Sequence, residues 1–171
     1  MAERPFEIRI HAHPLSLVQE PERVRLAQRG EIMHRALSLL DYCSDVGAIE
    51  QAVLRAFALE GVDPARWAVE KDFFAPLTAA LSLAEVQPWF APGVRNLREV
   101  EVIDAQGELH RIDRLIIGEE GLQVIDFKVA LSSEGHRAQV TLYRRLCEAV
   151  FRLPAEGYLL YIDEPAVVAV T

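Results

Sequence analysis

The sequence predicts an α/β fold in which a helical N-terminal half, about residues 22–92, caps a C-terminal core, about residues 97–171, built on a mixed β-sheet. Three observations predict it. Apolar residues recur at three- and four-residue steps as far as Trp89, and beyond Pro92 they recur at every second position, so helical spacing gives way to strand spacing. Three strand-like runs follow, then one long amphipathic stretch from Glu134 to Arg152, then two more apolar runs. In that βββαββ order the long helix is a crossover between strands of a mixed sheet.

The elements follow in order. FEIRIHAH, residues 6–13, alternates briefly and reads as an edge strand or a lead-in without structure. From Glu22 to Cys43 the spacing of Ile32, Ala36, Leu39, Leu40 and Cys43 predicts a helix that contains Gly30 and His34. Gly47 and Gly61 bracket a second helix, Ala48–Leu59. Asp63-Pro64 is a start signal for a third, with Asp as the N-cap and Pro at the first helical position; it is interrupted near Pro76, resumes to about Trp89 and is ended by Pro88 and Pro92. Leu97–Ile103 alternates apolar and charged residues as a half-buried strand does, and Asp104–Gly107 is its turn. Ile112–Ile117 and Leu122–Phe127 form a hairpin across Gly118-Glu119-Glu120-Gly121. Ser132-Ser133 caps the long helix, Pro154 closes it, and Gly157–Ile162 and Ala166–Val170 are the last strands.

Composition bounds the function. With 171 residues, 51% of them hydrophobic and 26% charged, the chain is long enough for one good core, and a single domain over residues 1–171 is the expectation. No apolar run approaches the ~20 residues of a membrane span and no signal peptide opens the chain, so a cytoplasmic address without membrane contact is expected. Cys43 and Cys147 read as free thiols, too few for the four thiolates that an iron–sulfur cluster takes, so no cluster is expected. A net charge of −8 and a pI near 5.1 argue against a surface that is basic throughout, though Arg137, Arg144, Arg145 and Arg152 gather on one segment.

The chemistry concentrates in RIDRLIIGEEGLQVIDFK, Arg111 to Lys128. Each apolar run there carries an aspartate, Asp113 in the first and Asp126 near the end of the second. Strand alternation puts Asp126 and Lys128 on one face and Ile125 and Phe127 on the other. Buried charges are costly unless they are paired or hold a cation, so these residues need a reason to be there. Carboxylates are hard oxygen ligands of the kind Mg²⁺ or Mn²⁺ prefers, and a divalent ion can activate water for phosphodiester hydrolysis. The carbonyl of Phe127 is a further candidate ligand. Glu99 is an outer-sphere or second-metal candidate, whereas Glu101 reads as solvated. Each residue alone also has a plain structural reading: His34 as a satisfied core histidine, Asp113 as an ion-pair partner of Arg111 or Arg114, Asp126 and Lys128 as a pair with each other, and Gln139 with Tyr143 as a hydrogen-bonded pair on one helix face.

Taken together, Gly30-x-x-x-His34, Ile112-Asp113-Arg114, Ile125-Asp126-Phe127-Lys128 and Gln139-x-x-x-Tyr143 resemble the RecB-type branch of the PD-(D/E)XK nuclease superfamily, in particular the nuclease domain of RecB- and AddA-type helicase–nucleases. The resemblance spans about residues 25–162. It implies a restriction-endonuclease-like core and a Mg²⁺- or Mn²⁺-dependent deoxyribonuclease, an exonuclease on single-stranded DNA ends in repair or recombination. It implies His34, Asp113 and Asp126 as metal ligands, Lys128 as the catalytic lysine, Gln139 and Tyr143 as DNA contacts, and a helicase domain or subunit as partner. Arg144, beside Tyr143, is a further expected DNA contact. Where many relatives have a glycine shortly before the first aspartate, this chain has Glu108-Leu109-His110-Arg111. The competing expectations are a non-catalytic DNA-binding or scaffold module with a nuclease fold, and a structure-specific endonuclease.

Overall fold

A computed structural model describes residues 21–43, 45–129 and 134–171. The FEIRIHAH piece and the Ser132-Ser133 cap lie outside the described residues. Five strands form one sheet in the order β1 (Asn96–Ile103), β2 (Leu109–Ile117), β3 (Leu122–Lys128), β4 (Ala155–Tyr161) and β5 (Ala166–Val170). All neighbours are antiparallel except β3 and β4, which run parallel because the helix α4 (Glu134–Phe151) carries the chain back between them. The sheet is therefore mixed and the helix is a crossover, as the strand spacing predicts.

Alternation along the strands builds two cores. Ile116, Ile125, Phe127, Leu160 and Ile162 face the helices α1 (Pro21–Leu39), α2 (Val46–Leu59) and α3 (Ala75–Leu81). Leu115, Leu122 and Val124 face the other way, onto Tyr143 and Cys147 of α4. Gly157 lets α4 close on β4: a Cβ there would stand 2.6 Å from both Val140 Cγ1 and Arg144 Cδ. Cys147 is buried and Cys43 half-buried, and both are free thiols.

The helical half departs from expectation at its ends. Helix α1 stops at Leu39 rather than Cys43 because Arg114 reaches across from β2 and takes the carbonyls beyond it, Leu40 O at 2.9 Å and Asp41 O at 2.6 Å. A cation at a helix C-terminus satisfies carbonyls that have no intrahelical donor. Helix α2 begins earlier, at Val46, since Asp45 accepts from the Ala48 amide at 2.9 Å and is its N-cap.

Asp63 does cap a start at Pro64, but only a 3-10 turn, Pro64–Arg66, results. Trp67 then turns extended and sets its ring edge-on to Phe73, 5.3 Å between centroids, with the Arg25 guanidinium 4.5 Å above it. The expected interruption near Pro76 is not there. A π-helical turn, Glu70–Phe74, leads straight into α3 with Pro76 in its first turn, and the break falls after Leu81. Proline has no N–H to return to Asp72, four residues back, and that carbonyl accepts from Arg29 Nε at 2.9 Å instead.

Candidate active site

The site forms where β2 and β3 part. Their pairing runs from Ile117↔Leu122 to Arg114↔Ile125, and one residue further on stand Asp113 and Asp126. Instead of continuing the ladder, the Phe127 amide donates to Asp113 Oδ2 at 2.8 Å. On the other edge of β2 the pairing also skips a step: Arg98↔Arg114 and Val100↔Ile112 are partners, while Glu99 between them has φ +52°. A non-glycine residue in that region is uncommon and marks a strained backbone. The sheet is thus opened on both sides of Asp113.

Asp126 and Lys128 share the α4 face, as alternation requires, and Phe127 points to the helical core, where its ring lies 6.4 Å from that of Phe90. Lys128 Nζ lies 2.7 Å from Asp126 Oδ2 and donates to Gln139 Oε1 at 2.9 Å; Gln139 Nε2 in turn donates to the Tyr143 hydroxyl at 2.8 Å. Both pairs foreseen by the plain structural readings therefore exist, and they are joined end to end. Asp113 pairs with neither arginine beside it. Arg114 is buried among the carbonyls of Leu40, Asp41 and Trp89, and Arg111 Nε binds Glu99 Oε2 at 3.1 Å.

His34 approaches from α1, with Nδ1 3.3 Å from Asp113 Oδ1. Its helix is held by Arg114 at the C-terminal end and by Arg29, which forms a two-pronged pair with Asp163 at 2.7 and 2.9 Å. His34, Asp113, Asp126, Lys128, Gln139 and Tyr143 line one open cavity of about 630 Å³. Glu99 lines it as well. Arg144 does not reach it. Its Nε and Nη1 donate to the carbonyls of Ala155 and Val170 at 2.9 and 2.8 Å, so it fastens α4 to the far strands.

Burial first, and then the charge of Asp113, push the Asp126 carboxyl up to about 6, against the pull of Lys128 and His34. For His34, burial works against the charged ring, but the hydrogen bond and charge of Asp113, with Asp126 behind, outweigh it and the pKa rises. Asp126 is only 2% exposed and Asp113 7%. Despite its short approach to Lys128, Asp126 Oδ2 accepts no well-directed hydrogen bond among the described residues.

Two buried, mutually repelling carboxylates with an oxygen left without a donor fit a divalent cation. The cavity as a whole agrees: five carboxylates line it, Glu31, Glu60, Glu99, Asp113 and Asp126, against the permanent cations Arg35, Arg111 and Lys128, a deficit that one divalent ion balances. The groups that can hold it are Asp113 and Asp126, with His34 beside them; Phe127 is not among the residues that line the cavity. Bound there, such an ion would supply Lewis acidity and lower the pKa of water.

One consequence is testable without a ligand. Between the ordinary carboxylate range and about pH 6 the folded chain keeps a proton on Asp126 that the unfolded chain has released, so stability falls as pH rises through that window. The change is on the order of 3 kcal/mol. His34 acts in the same direction, because a raised imidazole pKa gives stability that is lost as pH climbs through it. Melting in chelator should therefore drop from pH 5 to pH 8, and Mn²⁺ should restore more at pH 8 than at pH 5. A melting temperature that rises over this range in chelator would contradict the assignment.

The rim of the cavity adds two pairs. Arg35 Nε pairs with Glu60 Oε1 at 2.8 Å, and His110 Nε2 meets Asp104 Oδ2 at 2.8 Å. Asp104, Glu108 and His110 each offer a ligand atom within 4.8 Å of the others, the one such trio among the described residues. Asp104 is already spent, however. Its Oδ1 accepts from the amides of Gln106 and Glu108, both at 2.9 Å, in a turn closed by Gly107 at φ +85°. The signal was present in the sequence, as an aspartate opening a hairpin turn with a histidine on the returning strand.

Among the described residues no helix is long and apolar enough to cross a membrane. No curated protein matches the chain. The solved structure described as "Crystal structure of SSO0001" is similar at 18% identity and a TM-score of 0.35, over 89% of this chain and 79% of that one. The family model of the PD-(D/E)XK nuclease superfamily matches residues 9–169, nearly the whole sequence, with the parted strands and their acidic pair inside the match. The chain belongs to the PD-(D/E)XK nuclease superfamily.

Proposed function

We propose that this protein is a Mg²⁺- or Mn²⁺-dependent deoxyribonuclease of the RecB/AddA type, an exonuclease on single-stranded DNA ends that acts in repair or recombination. The observation that carries this reading is the meeting of Asp113 and Asp126, buried where β2 and β3 part, with Lys128 and His34 in the same cavity. In this reading Asp113, Asp126 and the Phe127 carbonyl hold the ion, and His34, a softer donor, favours tolerance of Mn²⁺. Lys128 steadies the charge on the phosphoryl oxygens, and Gln139 keeps its ammonium aimed into the cavity. Tyr143, expected as a DNA contact, is buried at 5% exposure, so it acts through its hydroxyl, which holds Gln139, and not by stacking on bases. Glu99 acts from the outer sphere by holding Arg111. A net charge of −8 weakens long-range capture of DNA, which is why a helicase domain or subunit that delivers the strand belongs to the proposal.

End-labelled linear single strands, linear duplex and closed single-stranded circles, each with Mg²⁺, Mn²⁺ or chelator, test it. Metal-dependent loss of the linear single strand with intact circles is the expected result. Cleaved circles would replace the exonuclease reading with an endonuclease one. No cleavage of any DNA with either metal would leave the non-catalytic module.

A further inference from the structure

The metal-centred reading leaves one aromatic base of the cavity without a task. His110, on β2, lines the same cavity as Asp113, Asp126 and Lys128, while Asp104 stands behind that wall. The hydrogen bond from His110, followed by the turn amides, holds the Asp104 carboxyl below its usual range. A carboxylate only accepts, so Nε2 of His110 is the donor in their 2.8 Å contact and the ring's tautomer is fixed. Nδ1 has no partner among the described residues. The ring also rests edge-on against Tyr143, 6.1 Å between centroids, and Tyr143 is tied through Gln139 to Lys128. His110 is therefore a rigid group at the end of the polar chain that runs down the α4 side of the site.

The other bases of the cavity are engaged: Lys128 with Asp126 and Gln139, Arg35 with Glu60, Arg111 with Glu99. We infer that His110, pinned by Asp104, is a substrate-contacting residue that grips a backbone phosphate of the bound strand other than the one being cleaved. The inference rests on the nuclease reading and adds a phosphate subsite to it. With a phosphate in front and Asp104 behind, both ring nitrogens carry protons and each donates to an anion, the stronger class of hydrogen bond. Asp104 is a positioning residue, acting only through the ring.

The test compares wild type, His110→Phe, which keeps an aromatic ring against Tyr143, and Asp104→Asn, which keeps an acceptor for the turn amides. Affinity for a short single-stranded oligonucleotide is measured with Ca²⁺, and KM and kcat with Mn²⁺. His110→Phe is expected to raise Kd and KM about tenfold, the worth of one charge-assisted hydrogen bond, with kcat nearly unchanged. Asp104→Asn should move KM in the same direction. In wild type, the His110 ring nitrogens should both be protonated once the oligonucleotide is added with Ca²⁺, as read by ¹⁵N resonances, which decides the matter even if a variant does not fold. Unchanged Kd and KM in a folded His110→Phe, a fall in kcat alone, or ring resonances indifferent to DNA would each overturn the inference. Cleavage by wild type alongside any of these sinks the His110 subsite alone; a wild type that neither binds nor cuts DNA sinks the nuclease reading and the subsite with it.

Discussion

Asp126→Asn is expected to lose metal-dependent cleavage by a thousandfold or more while raising the stability of the metal-free protein above pH 6. The activity loss follows from the charge. An amide neither repels Asp113 nor binds a hard cation as a carboxylate does, and the several kcal/mol of charge stabilisation that a metal supplies converts, at about 1.4 kcal/mol per factor of ten, into that range. The stability gain follows from the same carboxyl, which burial and Asp113 push up to about 6. Above that pH the wild-type chain folds around a charge it would rather not hold, and asparagine removes the charge at nearly constant volume. Single-turnover cleavage with Mn²⁺ and thermal melting in chelator at pH 8 read the two halves separately. Lost activity with a lowered melting temperature would mean that Asp126 is a structural partner of Lys128 and no more.

Arg114→Met should be the most destabilising single change within the site's framework, by about 3–5 kcal/mol. The guanidinium is 0% exposed and donates to Trp89 O, Leu40 O and Asp41 O, with its carbon 4.0 Å over the Phe90 ring. Burial pulls its pKa down to about 10, which leaves it charged at neutral pH. Methionine fills much of the space but leaves those carbonyls without donors, each loss costing about 1–3 kcal/mol if the group stays buried. For a chain of this size the melting temperature should fall by roughly ten degrees or more. Because Arg114 ends α1 and sits beside Asp113, the variant should also loosen the His34–Asp113 contact and weaken metal affinity where it is still folded. A melting temperature within a degree or two of wild type would show that water replaces the guanidinium.

The same residue explains what could and could not be read from the sequence. The succession of strands, the β2–β3 hairpin and the crossover helix were legible because apolar strand-length runs and glycine or proline punctuation are local signals, and Leu122–Phe127, opened by Gly121, carries both. Where α1 ends was not, since the group that ends it arrives from β2, and the passage through Pro76 depends on Arg29 reaching Asp72 from α1. Propensity along a segment cannot register a donor that folding brings in from elsewhere.

At the site, carboxylates set in apolar runs pointed to Asp113 and Asp126, and alternation placed Lys128 beside Asp126. Arg144 follows Tyr143 in sequence, but a helix turns far enough between adjacent residues to send one to the cavity and the other to the carbonyls of Ala155 and Val170. The rim pairs Arg35–Glu60 and Arg111–Glu99 join residues from separate elements, and only the folded backbone, with Glu99 at its unusual φ, brings them together.

Everything proposed for the cavity requires that Asp113 and Asp126 together hold a divalent ion. A crystal soaked in Mn²⁺ and examined at the manganese absorption edge tests it most directly. One strong anomalous peak is expected between Asp113 and Asp126, with the Phe127 carbonyl or His34 within reach. A peak at Asp104, Glu108 and His110 instead, or none in the cavity at a concentration that supports cleavage, would contradict it.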